Sequence, residues 1–260
     1  MAEPDQTTQI ERALAFHALH VKGDPVVLFN IWDPGSAKIV AAARAKAIAT
    51  GSWPVAAAFG YPDGEKIPLD IAMDNARRIV AAVELPVTVD LEGGYGIEPT
   101  IVTQTVASAI AAGAVGFNFE DQVVGGSGLH DVSVQVERIA GAVAAVAESA
   151  IPAFINARTD MFLQAKPDEH AGLLDSAIER ARAYEQAGAH GFFAPGLADE
   201  TLIGRLIEAV SLPVNIIALA HVPPKKRLAE LGVARISYGP IPWRRMATWL
   251  ENEARQAISE

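Results

Sequence analysis

The segment VTVDLEGGYG, residues 87–96, runs apolar and then stops on two carboxylates and a glycine-rich turn. Asp90 and Glu92 are two residues apart, so a strand would turn both to one side. Two other apolar runs end in the same way. GFNFED brings Glu120 and Asp121, and FINARTD brings Asn156, Arg158 and Asp160 at alternate positions. Of the adjacent pair, Glu120 is expected to join Asp90, because Phe117 and Phe119 take the opposite face. Carboxylates converging on one point repel each other unless a cation neutralises them. Hard oxygen ligands in a chain without cysteine suit Mg²⁺ or Mn²⁺ rather than zinc. Mg²⁺ keeps several waters, so some of these carboxylates would reach it indirectly. Gly93, Gly94 and Gly96 would let backbone amides approach a carboxylate or phosphate oxygen, although GGYG is also an ordinary turn. Arg158 has the planar fork that grips a carboxylate, and is also placed to pair with Asp160 or Glu120. Any one acidic residue here could be a helix N-cap. Asp90, Glu92, Glu120 and Arg158 together are harder to assign to capping. Asn215, early in VNIIALA, is a further candidate on the substrate side.

These residues need a frame that gathers strand ends. Strand-like runs at 26–30, 47–51, 86–91, 115–120, 152–157, 190–194, 213–217 and 234–238 alternate with helical patterns. The helical patterns lie at 35–46, 69–83, 98–112, 132–149, 168–187, 199–209, 223–231 and 241–258, after a leading helix at 7–21. Eight such repeats predict an α/β fold, a (β/α)8 TIM barrel, as one domain over 1–260. AAGAVGF, QAGAHGF and ELGVARI repeat one junction, in which a helix ends at Gly113, Gly188 or Gly232 and a strand follows. In such a barrel the active site lies at the C-terminal strand ends, where the polar motifs fall.

Half of the residues are hydrophobic, enough for one substantial core over 260 residues. A net charge of −10 disfavours nucleic acid and anionic membrane as partners. The absence of cysteine excludes disulfides and thiol nucleophiles. The first residues lack the basic and apolar regions of a secretory signal, so a cytoplasmic protein is expected.

Taken together, the motifs resemble the isocitrate lyase and phosphoenolpyruvate mutase superfamily over about residues 25–240. VDLEGGYG resembles its segment after the third strand, FED (119–121) its next acidic motif, and NARTD (156–160) its fifth-strand arginine motif. FNIWDPGSAKI (29–39), with Trp32, resembles the opening strand and helix, and GYPDG (60–64) carries Asp63 at another metal-site position. The resemblance implies Mg²⁺ near Asp63, Asp90, Glu92 and Glu120, and Arg158 acting on substrate with Glu120. It implies substrate contacts from Gly51, Ser52 and Trp53 in TGSWP, beside Trp32, Gly93, Gly94, Tyr95 and Asn215. Substrates would be small 2-oxo or 2-hydroxy carboxylates, passing through an enolate-like pyruvate species. A homodimer or homotetramer with a helix swapped between subunits is also implied. The chain departs from the family at QVVGGSGLHD (122–131), which lacks the lyases' Lys-x-Cys-Gly-His loop and the mutases' lysine and asparagine. His130 in this loop is a candidate general acid or base; the plainer alternative is a surface histidine before an N-cap Asp131. Carbon–carbon cleavage, by decarboxylation or retro-aldol reaction, survives this departure best, because water can supply the proton. Phosphorus–carbon chemistry and a non-catalytic dicarboxylate-binding barrel are the alternatives.

Overall fold

The structure, a computed structural model, describes residues 5–259; residues 1–4 and 260 of the expected unit lie outside it. Eight short strands form the frame: β1 (Val26–Leu28), β2 (Ile48–Ala49), β3 (Val87–Asp90), β4 (Gly116–Glu120), β5 (Phe154–Arg158), β6 (Gly191–Phe193), β7 (Val214–Ile217) and β8 (Arg235–Ser237). They pair in parallel in the order β1-β8-β7-β6-β5-β4-β3-β2. β1 and β2 do not form a ladder. A single bridge between Ile31 and Thr50 draws the edges together, and Asn30 Nδ2 donates to Thr50 O at 2.7 Å. The sheet is therefore a nearly closed (β/α)8 barrel.

Helix α1 (Gln6–Ala18) precedes the barrel, followed in chain order by α2 (Pro34–Ala42), α3 (Ser52–Ala58), α4 (Leu69–Ala82), α5 (Pro99–Ala111), α6 (Val132–Ser149), α7 (Met161–Gln164), α8 (His170–Gln186), α9 (Glu200–Ala209), α10 (Lys225–Glu230) and α11 (Ile241–Ser259). The sequence pattern places all of these except α3 and α7. The expected strand at 47–51 stops at Ala49 because Gly51 is the N-cap of α3. Pro54 is tolerated in that first turn, and an alanine run continues the helix. The junction glycines behave as the repeat predicts: Gly113, Gly188 and Gly232 have φ of +95°, +103° and +92°.

Along its axis the barrel interior changes character. At the floor, Phe16 of α1 meets Phe154 edge to face at 5.7 Å, and a Cβ on Gly116 would lie 2.9 Å from the Phe16 ring. Glycine at the start of β4 thus lets α1 plug the barrel. Above it lies a polar layer. Asn156 Nδ2 donates to Asn118 Oδ1 at 2.9 Å and to Asn215 Oδ1 at 3.2 Å, and Arg235 Nη2 donates to Asn118 Oδ1 at 3.0 Å. The bonds from Asn156 to Asn215 and from Arg235 to Asn118 join strands that are not neighbours, so they cross the interior. Glu120 and Arg158, two residues further along β4 and β5, lie above this layer. No helix among the described residues is long and apolar enough to cross a membrane.

Candidate active site

β3 delivers Asp90 to the barrel mouth. Its backbone N–H donates to Thr50 Oγ1 at 3.0 Å, and its Oδ2 accepts from Ser52 N at 3.3 Å. Its Oδ1 is buried without a hydrogen-bond partner. The strand ends there. Glu92 has φ of +51°, so the alternation that would place it beside Asp90 is broken. Glu92 Oε2 instead accepts from Glu65 N at 2.8 Å, which ties it to the loop that carries Asp63.

β4 and β5 bring the next pair. Glu120 Oε2 lies 2.9 Å from Arg158 Nη1, and Asp160 takes Arg158 Nε and Nη2 at 2.5 and 2.9 Å. Asp90 Oδ2 stands 4.0 Å from the same guanidinium. Arg158 is thus held by carboxylates of its own chain, the ion-pair alternative among its two readings. Asp121 points away from the mouth, as alternation requires. It accepts from Tyr184 Oη at 2.8 Å and Asp160 N at 3.0 Å, and pairs with Arg180 at 3.2 Å.

The GGYG loop is fastened from behind. Tyr95 N donates to Glu65 Oε1 at 2.7 Å, and the buried Arg138 donates to the carbonyls of Gly93 and Gly96. Gly94 has φ of +82°, and a Cβ there would lie 2.8 Å from the Phe119 ring. The loop requires glycine at this close approach.

A cavity of about 310 Å³ opens at the mouth. Of the residues singled out in the sequence, Gly51, Ser52, Trp53, Asp63, Asp90 and Arg158 line it. Glu92 and Tyr95 border a smaller hollow that shares Asp90 and Ser52. Glu120 sits behind Arg158. Gly93 and Gly94 do not face the cavity. Asn215 belongs to the polar layer beneath it. Trp32 packs with Val55, Ala56 and Ile67, edge-on to Trp243 at 5.0 Å. His130 is not gathered to the mouth either. It is buried, its N–H donates to Asp121 O, and its carbonyl accepts from Arg180. It is not the expected surface residue, and Asp131 after it makes no side-chain cap. Burial, followed by Arg138 and Arg180, lowers its pKa.

Sequence reasoning missed four lining residues with polar side chains: Asn30, Asn118, Ser237 and Arg244. Asn118 was within reach, since it stands two residues before Glu120 and shares its face. Asn30 Oδ1 accepts from the amides of Tyr238 and Gly239 at 2.9 and 2.8 Å, a long-range contact without a local signal.

Burial pushes the Glu92 carboxyl up to about 8, and Asp63 and Asp90 add to this. Asp63 is raised by burial and then by Asp90. Burial also raises Glu120, against the pull of Arg158. The cluster is short of positive charge, and the unpartnered Asp90 Oδ1 offers a lone pair to a cation. Among the described residues no three His, Asp or Glu side chains form a ready-made direct cage. The expected set of Asp63, Asp90, Glu92 and Glu120 therefore fits only an ion that retains most of its waters, which is the habit of Mg²⁺.

The phosphoenolpyruvate phosphomutase family profile matches residues 16–258. The chain belongs to that family. Within this family the chain is 47% identical to a protein from Burkholderia cenocepacia J2315 described as a candidate phosphonomutase. That solved structure superposes with a TM-score of 0.93 over 96% of this chain and 99% of the other. It is 32% identical to 2-methylisocitrate lyase of Escherichia coli K12, over 80% of this chain and 71% of the relative. It is 30% identical to oxaloacetate decarboxylase of Ectopseudomonas mendocina, over 86% and 77% respectively. These family members include carbon–carbon lyases, and the resemblance read from the motifs is to the same superfamily.

Proposed function

We propose that the chain is a Mg²⁺- or Mn²⁺-dependent lyase that cleaves a carbon–carbon bond of a small 2-oxo or 2-hydroxy carboxylate, by decarboxylation or retro-aldol reaction. The observation that carries this reading is the buried, unpartnered Asp90 Oδ1 in a cavity that Asp63 and Arg158 also line. Asp90 and Asp63 would hold the ion, with Glu92 and Glu120 acting through its waters. When bound, the ion would supply Lewis-acid stabilisation of negative charge developing on the 2-oxo group. The chain's own residues do the rest. Arg158 keeps Glu120 and Asp160 in register and presents a positive face to the cavity. Ser52 N fixes the Asp90 carboxylate, and Gly51 and Trp53 bound the substrate at the first turn of α3. Decarboxylation leaves an enolate-like pyruvate species that water can protonate, so it does not need an acid from residues 122–131. The structure brings no group from that loop, His130 included, to the cavity lining.

The test is pyruvate release with added Mg²⁺ from oxaloacetate, 2-methylisocitrate, a dimethylmalate-type acid and phosphonopyruvate. A chelated control and Asp90→Ala accompany the panel. Pyruvate from a carbon substrate, lost in both controls, supports the lyase. Pyruvate with phosphate from phosphonopyruvate supports the second reading, phosphorus–carbon chemistry, which the 47% identical relative's description favours. Ligand binding without turnover would leave a dicarboxylate-binding barrel.

We also propose a homo-oligomer in which α11 is exchanged. Among its described residues α11 buries only Pro242, and Trp249 is 60% exposed. A hollow of about 480 Å³ between β1, α2 and α10 is lined by Val27, Phe29, Ile39 and Val40. An α11 from a second copy supplies the apolar stripe to cover it.

A further inference from the structure

Arg235, on β8, carries a positive charge into the barrel interior. It is 1% exposed, and among the described residues no carboxylate forms an ion pair with it. Nη2 donates to Asn118 Oδ1 at 3.0 Å, whereas Nε and Nη1 have no hydrogen-bond partner. On the floor side, the guanidinium carbon lies 6.0 Å from the centroid of the Phe16 ring. On the mouth side, Asn118 is the β4 residue paired with Asp90 of β3. The charge therefore sits between the floor and the acidic cluster, and it does not line the cavity. Burial pulls the guanidinium down to about 9 and Asp90 pulls it back up, so it is charged at neutral pH.

A buried charge without a paired counter-ion is costly, and an apolar side chain would fill the same space without that cost. Arg158 differs in this respect. It stands 4.0 Å from Asp90, but Glu120 and Asp160 already meet its charge. The charge of Arg235 is left to act on Asp90 from beneath. We infer that Arg235 is a fixed positive charge under the ion site, which weakens the hold of Asp90 and its neighbours on a divalent cation and strengthens the binding of an anion to that cation. The assignment rests on the metal-site reading above and extends it. Arg235 touches neither ion nor ligand, so it is a positioning residue that acts through its field and through Asn118. Asn118 Oδ1 keeps its bond from Asn156 Nδ2 when Arg235 is replaced.

The test is calorimetric binding of Mn²⁺ to the full chain, followed by oxalate at saturating Mn²⁺. Oxalate is a planar dianion that stands in for an enolate-like species. Arg235→Met is expected to bind Mn²⁺ about tenfold tighter and oxalate about tenfold more weakly than wild type. Arg235→Gln carries the same expectation, and melting temperature shows that each variant is folded. Arg235→Lys should return both affinities towards wild type. A merely structural role would weaken both ligands together. Mn²⁺ binding in wild type that is no tighter in the folded neutral variants overturns the inference alone. Failure of wild type to bind Mn²⁺ overturns the metal-site reading, and the inference with it.

Discussion

Asp90 and Asp121 stand at neighbouring strand ends and have opposite fates. Asp90 keeps an unpaired oxygen in the cavity, whereas Asp121 satisfies both of its oxygens on Tyr184, Arg180 and Asp160 N. Asp90→Ala is therefore expected to lower Mg²⁺-dependent turnover by about 100-fold or more while the protein stays folded, read by steady-state kinetics and melting temperature. Asp121→Ala should do the reverse. It leaves the half-buried Arg180 without its carboxylate and the buried Tyr184 hydroxyl without its acceptor, and is expected to cost about 3 kcal/mol of stability in urea unfolding. The choice of Glu120 over Asp121 for the mouth was legible in the sequence, because strand period alone separates adjacent residues. The position of Glu92 was not. A positive φ at a non-glycine residue breaks the period and leaves no mark in the residue types.

At the scale of elements, the floor of the barrel carries a pH dependence of its own. α1 brings His20 onto the Phe154 ring, stacked at 3.9 Å, and His190 Nδ1 accepts from Ile155 N at 3.0 Å. Burial lowers His20 to about 3, assisted by the charge of Arg235, and burial lowers His190 to about 4. In the unfolded chain both titrate near the ordinary 6.5. Between those values the unfolded state binds more protons, so this contribution is complete above about pH 6.5 and is lost as pH falls towards 4. Melting temperatures from pH 7 to pH 4.5 should therefore decline less steeply in His190→Gln than in wild type. The strand–helix alternation made this scaffold readable, since every strand but β2 is entered within three residues of a glycine or proline. α3 was missed because TGSWP reads as the end of a strand. Its helical signal, a proline in the first turn followed by alanines, lies just beyond. Gly94→Ala, at φ of +82° and against Phe119, is expected to loosen the loop below Glu92 and cost about 1–3 kcal/mol.

For the whole molecule, the open questions are closure and association. The nearly closed barrel was legible from eight repeats. The bridge between Ile31 and Thr50 was not, nor was the contact of Asn30 with Tyr238, whose partners stand 208 residues apart. α11 was legible as an amphipathic helix, but its sequence does not say which barrel it covers. If α11 is exchanged as proposed, replacing Trp249 and Leu250 with glutamate should give a monomer in light scattering after size exclusion, where wild type gives an oligomer. A monomeric wild type would remove the helix exchange from the account.

The central claim is that Asp90 and its neighbours hold an ion that stabilises an enolate-like pyruvate species, whatever the physiological substrate. The most direct measurement is proton NMR of pyruvate in deuterium oxide with the protein and Mg²⁺, following the methyl signal. The account expects the signal to decay as the methyl protons exchange, faster than with Mg²⁺ alone. The decay should stop with chelator and in Asp90→Ala. Pyruvate that keeps its methyl protons, with Mg²⁺ shown to be bound and the protein folded, would contradict the claim.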